Sequence, residues 1–230
     1  METTRRERNR ENTLQEIKST AWEQIANEGV SALSLRAIAR AMGMTAPGLY
    51  RYFANRDELV SALIIDAFDS FGRFLEEARD ALPACDHLGR FRAICMAYFE
   101  WAKRYPNRYT ILFGTPVPGY TMTEAVFPSA RRSFLVLQGV IGEAFEDGKI
   151  RQQADSVHLD ENLLARYALL NQYGMPYTPL VTHLAMMTWS HVHGITSLYL
   201  YGYLHGFLGE QIEAFAAQEI DQLAGQLGLE

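Results

Sequence analysis

The sequence predicts an all-α protein, and three observations support this fold class. Apolar residues recur every three to four positions from Leu14 onward, and no stretch alternates apolar and polar residues as a half-buried strand does. Glycine and proline interrupt this pattern at intervals that suit helix ends. Hydrophobic residues make up 48% of the 230-residue chain, enough for a packed core. We expect about nine to ten helices.

The first 58 residues predict a head of three helices. The first helix covers residues 13–28, ends before Gly29, and places on one stripe Leu14, Ile17, Ala21 and Ile25. Ser34 is suited to cap a second, short helix that ends at Gly43. Thr45 is suited to cap a third, with Pro47 in its first turn. Two short helices about a glycine turn are typical of a helix-turn-helix.

The remainder, residues 59–230, predicts a second, helical domain. Asn55 and Glu58 resemble a capping box that opens a long helix from Arg56 toward Pro83. Further helices are predicted over residues 87–104, 107–113, 123–147, 162–173, 179–204 and 209–227, with a polar loop at 151–160. No linker rich in glycine or serine separates the two domains.

Composition restricts the classes of function. The net charge of −6 is unusual for a nucleic-acid binder, but residues 1–60 hold nine Lys/Arg against eight Asp/Glu, so the acidity lies in the rest of the chain. We expect a soluble, cytoplasmic protein, because neither a signal peptide nor a run of about 20 apolar residues is present. The two cysteines match no metal-ligand spacing.

Residues 14–60 resemble the head of the TetR family of regulators. The matching residues are Ile38-Ala39, Gly43, Leu49-Tyr50, Phe53 and Asp57-Glu58-Leu59. The resemblance implies a DNA-binding head whose phosphate contacts come from Ser34, Arg36, Thr45, Tyr50, Tyr52 and Arg56. It implies base contacts from Ala46, Pro47, Gly48 and Arg51, and a guanidinium at Arg51 can bond guanine O6 and N7 together.

Two departures from the family pattern concern base preference. Tyr52 stands where histidine is common, and Arg56 stands where lysine is common. Both residues still carry donors for phosphate. Ahead of the first helix, arginines at positions 5, 6, 8 and 10 allow either a flexible arm on DNA or a solvated tail.

Aromatic and sulfur-containing side chains are concentrated between residues 85 and 206. Each of them could be core, but together they favour an apolar cavity with a few polar contacts for a small-molecule effector. The predicted lining residues are Tyr98, Trp101, Phe113, Met122, Tyr173, Met186, Trp189 and His193.

The set Trp189, His193 and Gly194 resembles the Trp-His-Gly type of TetR C-terminal domain. The apolar stripe of the last helix could pack on the core of its own domain, but this resemblance implies instead a homodimer formed by the 179–204 helix and the last helix, whose two heads bind a palindromic DNA operator. His183, His191 and His193 have spacings that do not suit a shared metal ion, and we expect no metal and no cofactor.

A repressor released from its operator by a mostly apolar ligand is the function that this pattern favours. An activator of the same fold, or a helical carrier without DNA binding, would have much the same composition. An enzyme is not expected, because no nucleophile with an orienting base, metal cluster or phosphate loop is recognisable.

Overall fold

The computed structural model describes residues 4–150 and 158–229, which are helical and contain no strand. The all-α prediction is therefore confirmed. In chain order the helices are α1 (Arg5–Glu28), α2 (Leu35–Ala41), α3 (Ala46–Tyr50), α4 (Arg56–Asp80), α5 (His87–Arg104), α6 (Pro106–Phe113), α7 (Phe127–Glu146), α8 (Glu161–Leu170), α9 (Pro179–Leu200), α10 (His205–Leu208) and α11 (Ile212–Leu227).

The chain divides into two compact units. The first runs to Ala67 and includes Pro106–Phe127, while the second consists of Phe68–Tyr105 and Pro128–Glu230. The first unit therefore contains α6 and the segment after it, which sequence analysis assigned to the domain at 59–230. Sequence patterns locate helices but not which of them pack together, so α6 could not be placed in advance.

The first unit is built around the apolar stripe of α1. Ile17 and Ala21 are fully buried, as are Leu49 of α3 and Leu59 and Leu63 of α4. Lys18 forms an ion pair with Asp66 at 2.8 Å on the partly exposed rim of this core. The short helices α2 and α3 thus gain their stability from packing, since helices of five to seven residues are not stable alone.

The second unit has a larger core formed by α5 packed against α9 and α11. Its fully buried aromatic residues are Phe71, Phe91, Phe99 and Trp101. Burial raises the pKa of Cys95 in this core, so its thiol stays protonated.

Several helix boundaries differ from the prediction, and at two of them the local cause is clear. α1 begins at Arg5 rather than at residue 13, because Thr4 and Glu7 form a capping box at its start. α9 ends at Leu200 rather than at residue 204, because Gly202 takes a positive φ of 80°. A separate short helix, α10, follows.

Most of the predicted loop at 151–160 lies outside the described residues. Among the helices that the structure does describe, none combines the length and the apolar character needed to cross a lipid bilayer.

Candidate nucleic-acid interface and interior polar cluster

Side-chain caps and a glycine turn hold α2 and α3 in the helix-turn-helix arrangement. The Ser34 hydroxyl accepts a hydrogen bond from Ala37 N–H at 3.4 Å, and the Thr45 hydroxyl accepts one from Gly48 N–H at 3.2 Å. Between the helices, Gly43 has a φ of 64°, a left-handed conformation that glycine adopts without strain. Met44 N–H closes the turn on Ala39 C=O at 2.8 Å. The predicted caps are therefore confirmed.

The residues of α3 and of the turn that follows it separate into a buried and an accessible set. Leu49 and Phe53 are buried, as predicted for core positions. Pro47 and Arg51 are exposed, and Tyr50 is 42% exposed. Leu49 and Phe53 thus hold the helix against the core while its other side remains free for a ligand. The other predicted DNA contacts on this surface are exposed Arg36 and Thr45 and half-buried Ser34, Ala46, Gly48 and Tyr52.

Arg56 differs from the other predicted phosphate contacts because its guanidinium already bonds to the protein. Nε donates to Leu33 C=O at 3.2 Å, Nη2 to Val30 C=O at 3.0 Å, and Nη1 to Pro118 C=O at 3.4 Å. These bonds tie the start of α4 to two segments of the first unit. Of the five guanidinium N–H groups, two are left for any other acceptor.

Tyr98, Trp189 and His193 lie together in the second unit. Tyr98 Oη and His193 Nδ1 share a hydrogen bond at 2.9 Å, and the Trp189 and His193 rings are 5.6 Å apart. Burial lowers the pKa of His193, which favours the neutral imidazole. A neutral imidazole beside aromatic rings can donate or accept a hydrogen bond without the cost of burying a charge.

Trp101 adjoins this cluster through Phe71. The Phe71 ring is 4.8 Å from that of Tyr98 and 4.7 Å from that of Trp101. Trp101 itself is fully buried and donates from Nε1 to Ser70 Oγ at 3.2 Å. Its position is that of a core residue behind the cluster.

The other predicted lining residues lie elsewhere. Met186 borders an open groove of about 540 Å³ on the second unit, together with Tyr167, Ser190 and Leu223. Tyr173 is 59% exposed, which makes it a surface residue rather than the wall of a cavity.

Phe113 and Met122 belong to the first unit. Phe113 is half-buried with its ring 5.2 Å from Tyr109, and Met122 is 43% exposed. Composition showed that aromatic residues are abundant, but it could not indicate which of them lie in the core, in the Tyr98–Trp189–His193 cluster or on the surface.

Each of the three histidines of α9 named above has its own polar neighbour. His183 Nδ1 lies 3.4 Å from Tyr167 Oη, and His191 Nε2 lies 3.2 Å from Glu219 Oε2. His193 pairs with Tyr98. The three side chains thus bond to three different partners, in agreement with their spacing along the helix.

Sequence analysis missed a buried polar pair between α7 and α9. Gln138 and Thr182 are both fully buried, and Gln138 Nε2 donates to Thr182 Oγ1 at 2.8 Å. Gln138 Oε1 has no hydrogen-bond partner among the residues that the structure describes. A single glutamine in an otherwise apolar helix face was the available signal, and it was not recognised.

A capped helix-turn-helix joined to a helical domain is typical of one class of DNA-binding regulators, and comparison with known proteins identifies the family. Residues 17–63 match the family described as bacterial regulatory proteins, tetR family. Residues 91–223 match the tetracyclin repressor-like C-terminal domain. The chain belongs to the TetR family.

Individual relatives agree with this assignment. The HTH-type transcriptional regulator Mb1846 of Mycobacterium bovis is 31% identical over 195 residues, which cover 84% of this chain and 82% of that protein. The crystal structure of SCO4313, assigned as a regulatory protein, superposes with a TM-score of 0.77 at 35% identity, covering 96% of this chain and all of that one.

A more distant structure shares the fold. PfmR, a TetR-family transcriptional regulator from Thermus thermophilus, superposes with a TM-score of 0.59 at 14% identity, covering 93% of this chain and 98% of that one.

Proposed function

We propose that this protein is a sequence-specific DNA-binding transcriptional regulator that presents α3 to the major groove. The observation that carries the proposal is the capped α2–α3 pair, in which Leu49 and Phe53 anchor the helix and Tyr50 and Arg51 are accessible. Small residues at Ala46 and Gly48 permit close approach to the bases, and Arg51 is the base-specific contact. Phosphate contacts come from hydroxyls and guanidinium groups around it.

The proposed effector site is the cluster of Tyr98, Trp189 and His193. Its aromatic rings suit a mostly apolar ligand, while the Tyr98 hydroxyl and the His193 imidazole supply hydrogen bonds that orient it. Trp101 supports the cluster from the core. The contacts that the sequence indicated at Phe113, Met122, Tyr173 and Met186 stay predictions and are not part of this proposed site.

The protein acts as a homodimer in this proposal, with α9 and α11 of each subunit forming a four-helix interface. Two heads then bind the half-sites of a palindromic operator. Ligand binding favours a dimer whose heads no longer match the operator spacing. To release nearly all of the protein from its operator, the ligand must bind this second state more tightly than the DNA-binding state by about 5.5 kcal/mol.

Selection of genomic fragments on the full-length protein, followed by sequencing, tests the DNA-binding part. The expected result is an enriched palindrome. Arg51→Ala then relaxes the base preference at one position of each half-site, whereas Lys149→Ala removes one positive charge from an exposed position of the second unit and leaves preference unchanged. Failure to enrich any duplex would contradict the proposal and favour a carrier.

The effector part is tested on the enriched duplex with a panel of apolar compounds. A compound that releases the duplex from the wild type is expected to act more weakly on Tyr98→Phe, which lacks the hydroxyl but keeps the ring. A reporter gene behind the operator then distinguishes repression from activation by the direction of its response.

A further inference from the structure

We infer that the start of α1 is a second phosphate-binding element of the head, formed by Arg6 and Arg10. This inference rests on the proposed function, because it concerns the duplex that α3 would contact. The sequence allowed these arginines to lie in a flexible arm or a solvated tail, whereas in the structure they belong to helix α1.

The capping box at the start of α1 fixes the backbone of these arginines. Thr4 Oγ1 accepts a hydrogen bond from Glu7 N–H at 3.3 Å, and Glu7 Oε2 accepts one from Thr4 N–H at 2.7 Å. The bond from Thr4 N–H, together with a second one that the Thr4 hydroxyl donates to Glu7 Oε2 at 2.9 Å, lowers the pKa of the Glu7 carboxyl. The Glu7 carboxylate is therefore engaged in the cap, and the arginines project at defined angles around the helix axis.

Helix geometry places Arg6 and Arg10 on the face that packs on the first unit. Each residue advances 100° around an α-helix, so positions 7 and 11 residues before Ile17 lie within about 20° of it. Ile17 is fully buried in the core. Arg10 and Arg6 thus continue the buried stripe of α1 beyond the edge of the core. Arg8 lies about 180° from Ile17, on the opposite face.

A direct contact links this face to the end of α3. The Arg10 guanidinium carbon lies 5.6 Å from the centre of the Tyr52 ring, within the range of a cation–π interaction. Tyr52 follows the exposed residues Tyr50 and Arg51. A guanidinium held by its face over an aromatic ring keeps the N–H groups of its edge free to donate to oxygen anions.

Neither arginine is neutralised by the residues that the structure describes. Arg6 and Arg10 are both exposed, and within residues 4–150 and 158–229 neither takes part in a salt bridge or a side-chain hydrogen bond. Two cations one turn apart, on the face of α1 that reaches Tyr52 through Arg10, match the closely spaced phosphodiesters of a duplex. The ligand we assign to this element is the DNA backbone, without base preference.

The experiment measures affinity for the enriched duplex as a function of salt concentration, by fluorescence anisotropy, for wild type, Arg6→Ala, Arg10→Ala and the double variant. Arg8→Ala is the matched control, because it removes the same charge from the opposite face of the same helix. Each single variant is expected to bind about fivefold more weakly at 0.15 M salt and to lower the salt slope by about 0.9. The double variant lowers it about twice as far, and the preferred sequence stays the same.

Two results would overturn the inference while leaving the proposed function intact. One is a double variant with the affinity and salt slope of the wild type. The other is an equal loss in Arg8→Ala, which would show a diffuse effect of net charge. Wild-type protein that binds no duplex would overturn both proposals. Arg6→Ala leaves the Arg10–Tyr52 contact in place, so a loss of affinity in this variant cannot be attributed to a folding defect from losing that contact. Circular dichroism of each variant checks its helix content.

Discussion

The buried pair of Gln138 and Thr182 predicts an asymmetric response to mutation. Thr182→Val keeps the shape of the side chain but removes the hydroxyl to which Gln138 Nε2 donates. Since Gln138 Oε1 is already unpaired within the described part of the chain, the whole amide is then buried without hydrogen bonds. The unfolding free energy should fall by about 1–3 kcal/mol, the cost of leaving a buried polar group unsatisfied.

Gln138→Met should cost far less, because it removes the amide with both of its polar atoms and leaves a side chain of similar length. The Thr182 hydroxyl, which accepts from Gln138, still has its own proton to donate to Thr178 C=O, one turn earlier at the N-cap of α9. Thr188 and Thr196 already do so, donating to Leu184 C=O at 2.9 Å and to Val192 C=O at 2.8 Å. We expect a change within about 0.5 kcal/mol, and a double variant no less stable than Gln138→Met.

Urea unfolding at fixed protein concentration measures these changes, with circular dichroism and tryptophan fluorescence recorded together to test whether one transition describes both. Thr182→Ser is the control: it keeps the hydroxyl and loses about 0.8 kcal/mol for one buried methyl group. The reasoning is refuted if Gln138→Met destabilises as much as Thr182→Val and the two effects simply add. That result would mean that the amide bonds to a buried water or a ligand.

Three further predictions concern the helices around the sites. Burial lowers the pKa of His193, so near pH 6 the unfolded chain binds more protons than the folded one. The unfolding free energy should therefore decrease as pH falls below about 6.5. His193→Gln should weaken this dependence in denaturation measured at several pH values. Gly142→Ala should lower the urea midpoint, because the added Cβ would lie 2.7 Å from Cε1 of Tyr177. Gly225→Ala is the control: open space surrounds that position in α11, so alanine should raise the unfolding free energy by up to about 1 kcal/mol. Equal midpoints would contradict the packing argument. Thr45→Ala removes a helix cap and should lower the unfolding free energy by about 1 kcal/mol and weaken DNA binding. Thr45→Ser keeps the capping hydroxyl and should retain stability and affinity in the same unfolding and anisotropy assays. A matching loss in the serine variant would exclude capping as the cause.

Signals between residues close in sequence predicted the helix-turn-helix head better than the second domain. The caps at Ser34 and Thr45 and the turn at Gly43 depend on neighbouring residues alone, so sequence was sufficient to place them. The start of α1 depends on an equally local capping box at Thr4, but the arginine-rich composition favoured an arm or tail over a helix.

Tertiary contacts explain why the effector site was less predictable. Tyr98 and His193 are 95 residues apart, and Trp101, only three residues from Tyr98, is buried behind the cluster instead of facing it. Periodicity assigns a residue to a face of its own helix, but not to the helix that covers that face. The pairing of Gln138 with Thr182 was unpredictable for the same reason.

Hydrogen bonds already formed within the protein decide which predicted phosphate contacts retain a donor. Ser34 and Thr45 cap their helices as acceptors, so each hydroxyl proton is still free to bond phosphate. Arg56 instead acts as a donor to three carbonyl groups, and a phosphate must share its guanidinium with the folded head. Arg56→Ala should therefore lower stability as well as affinity, whereas Arg6→Ala, which leaves the Arg10–Tyr52 contact in place, should lower affinity alone. A loss of affinity in Arg56→Ala without any loss of stability would show that the carbonyl contacts add little and that Arg56 acts mainly on DNA.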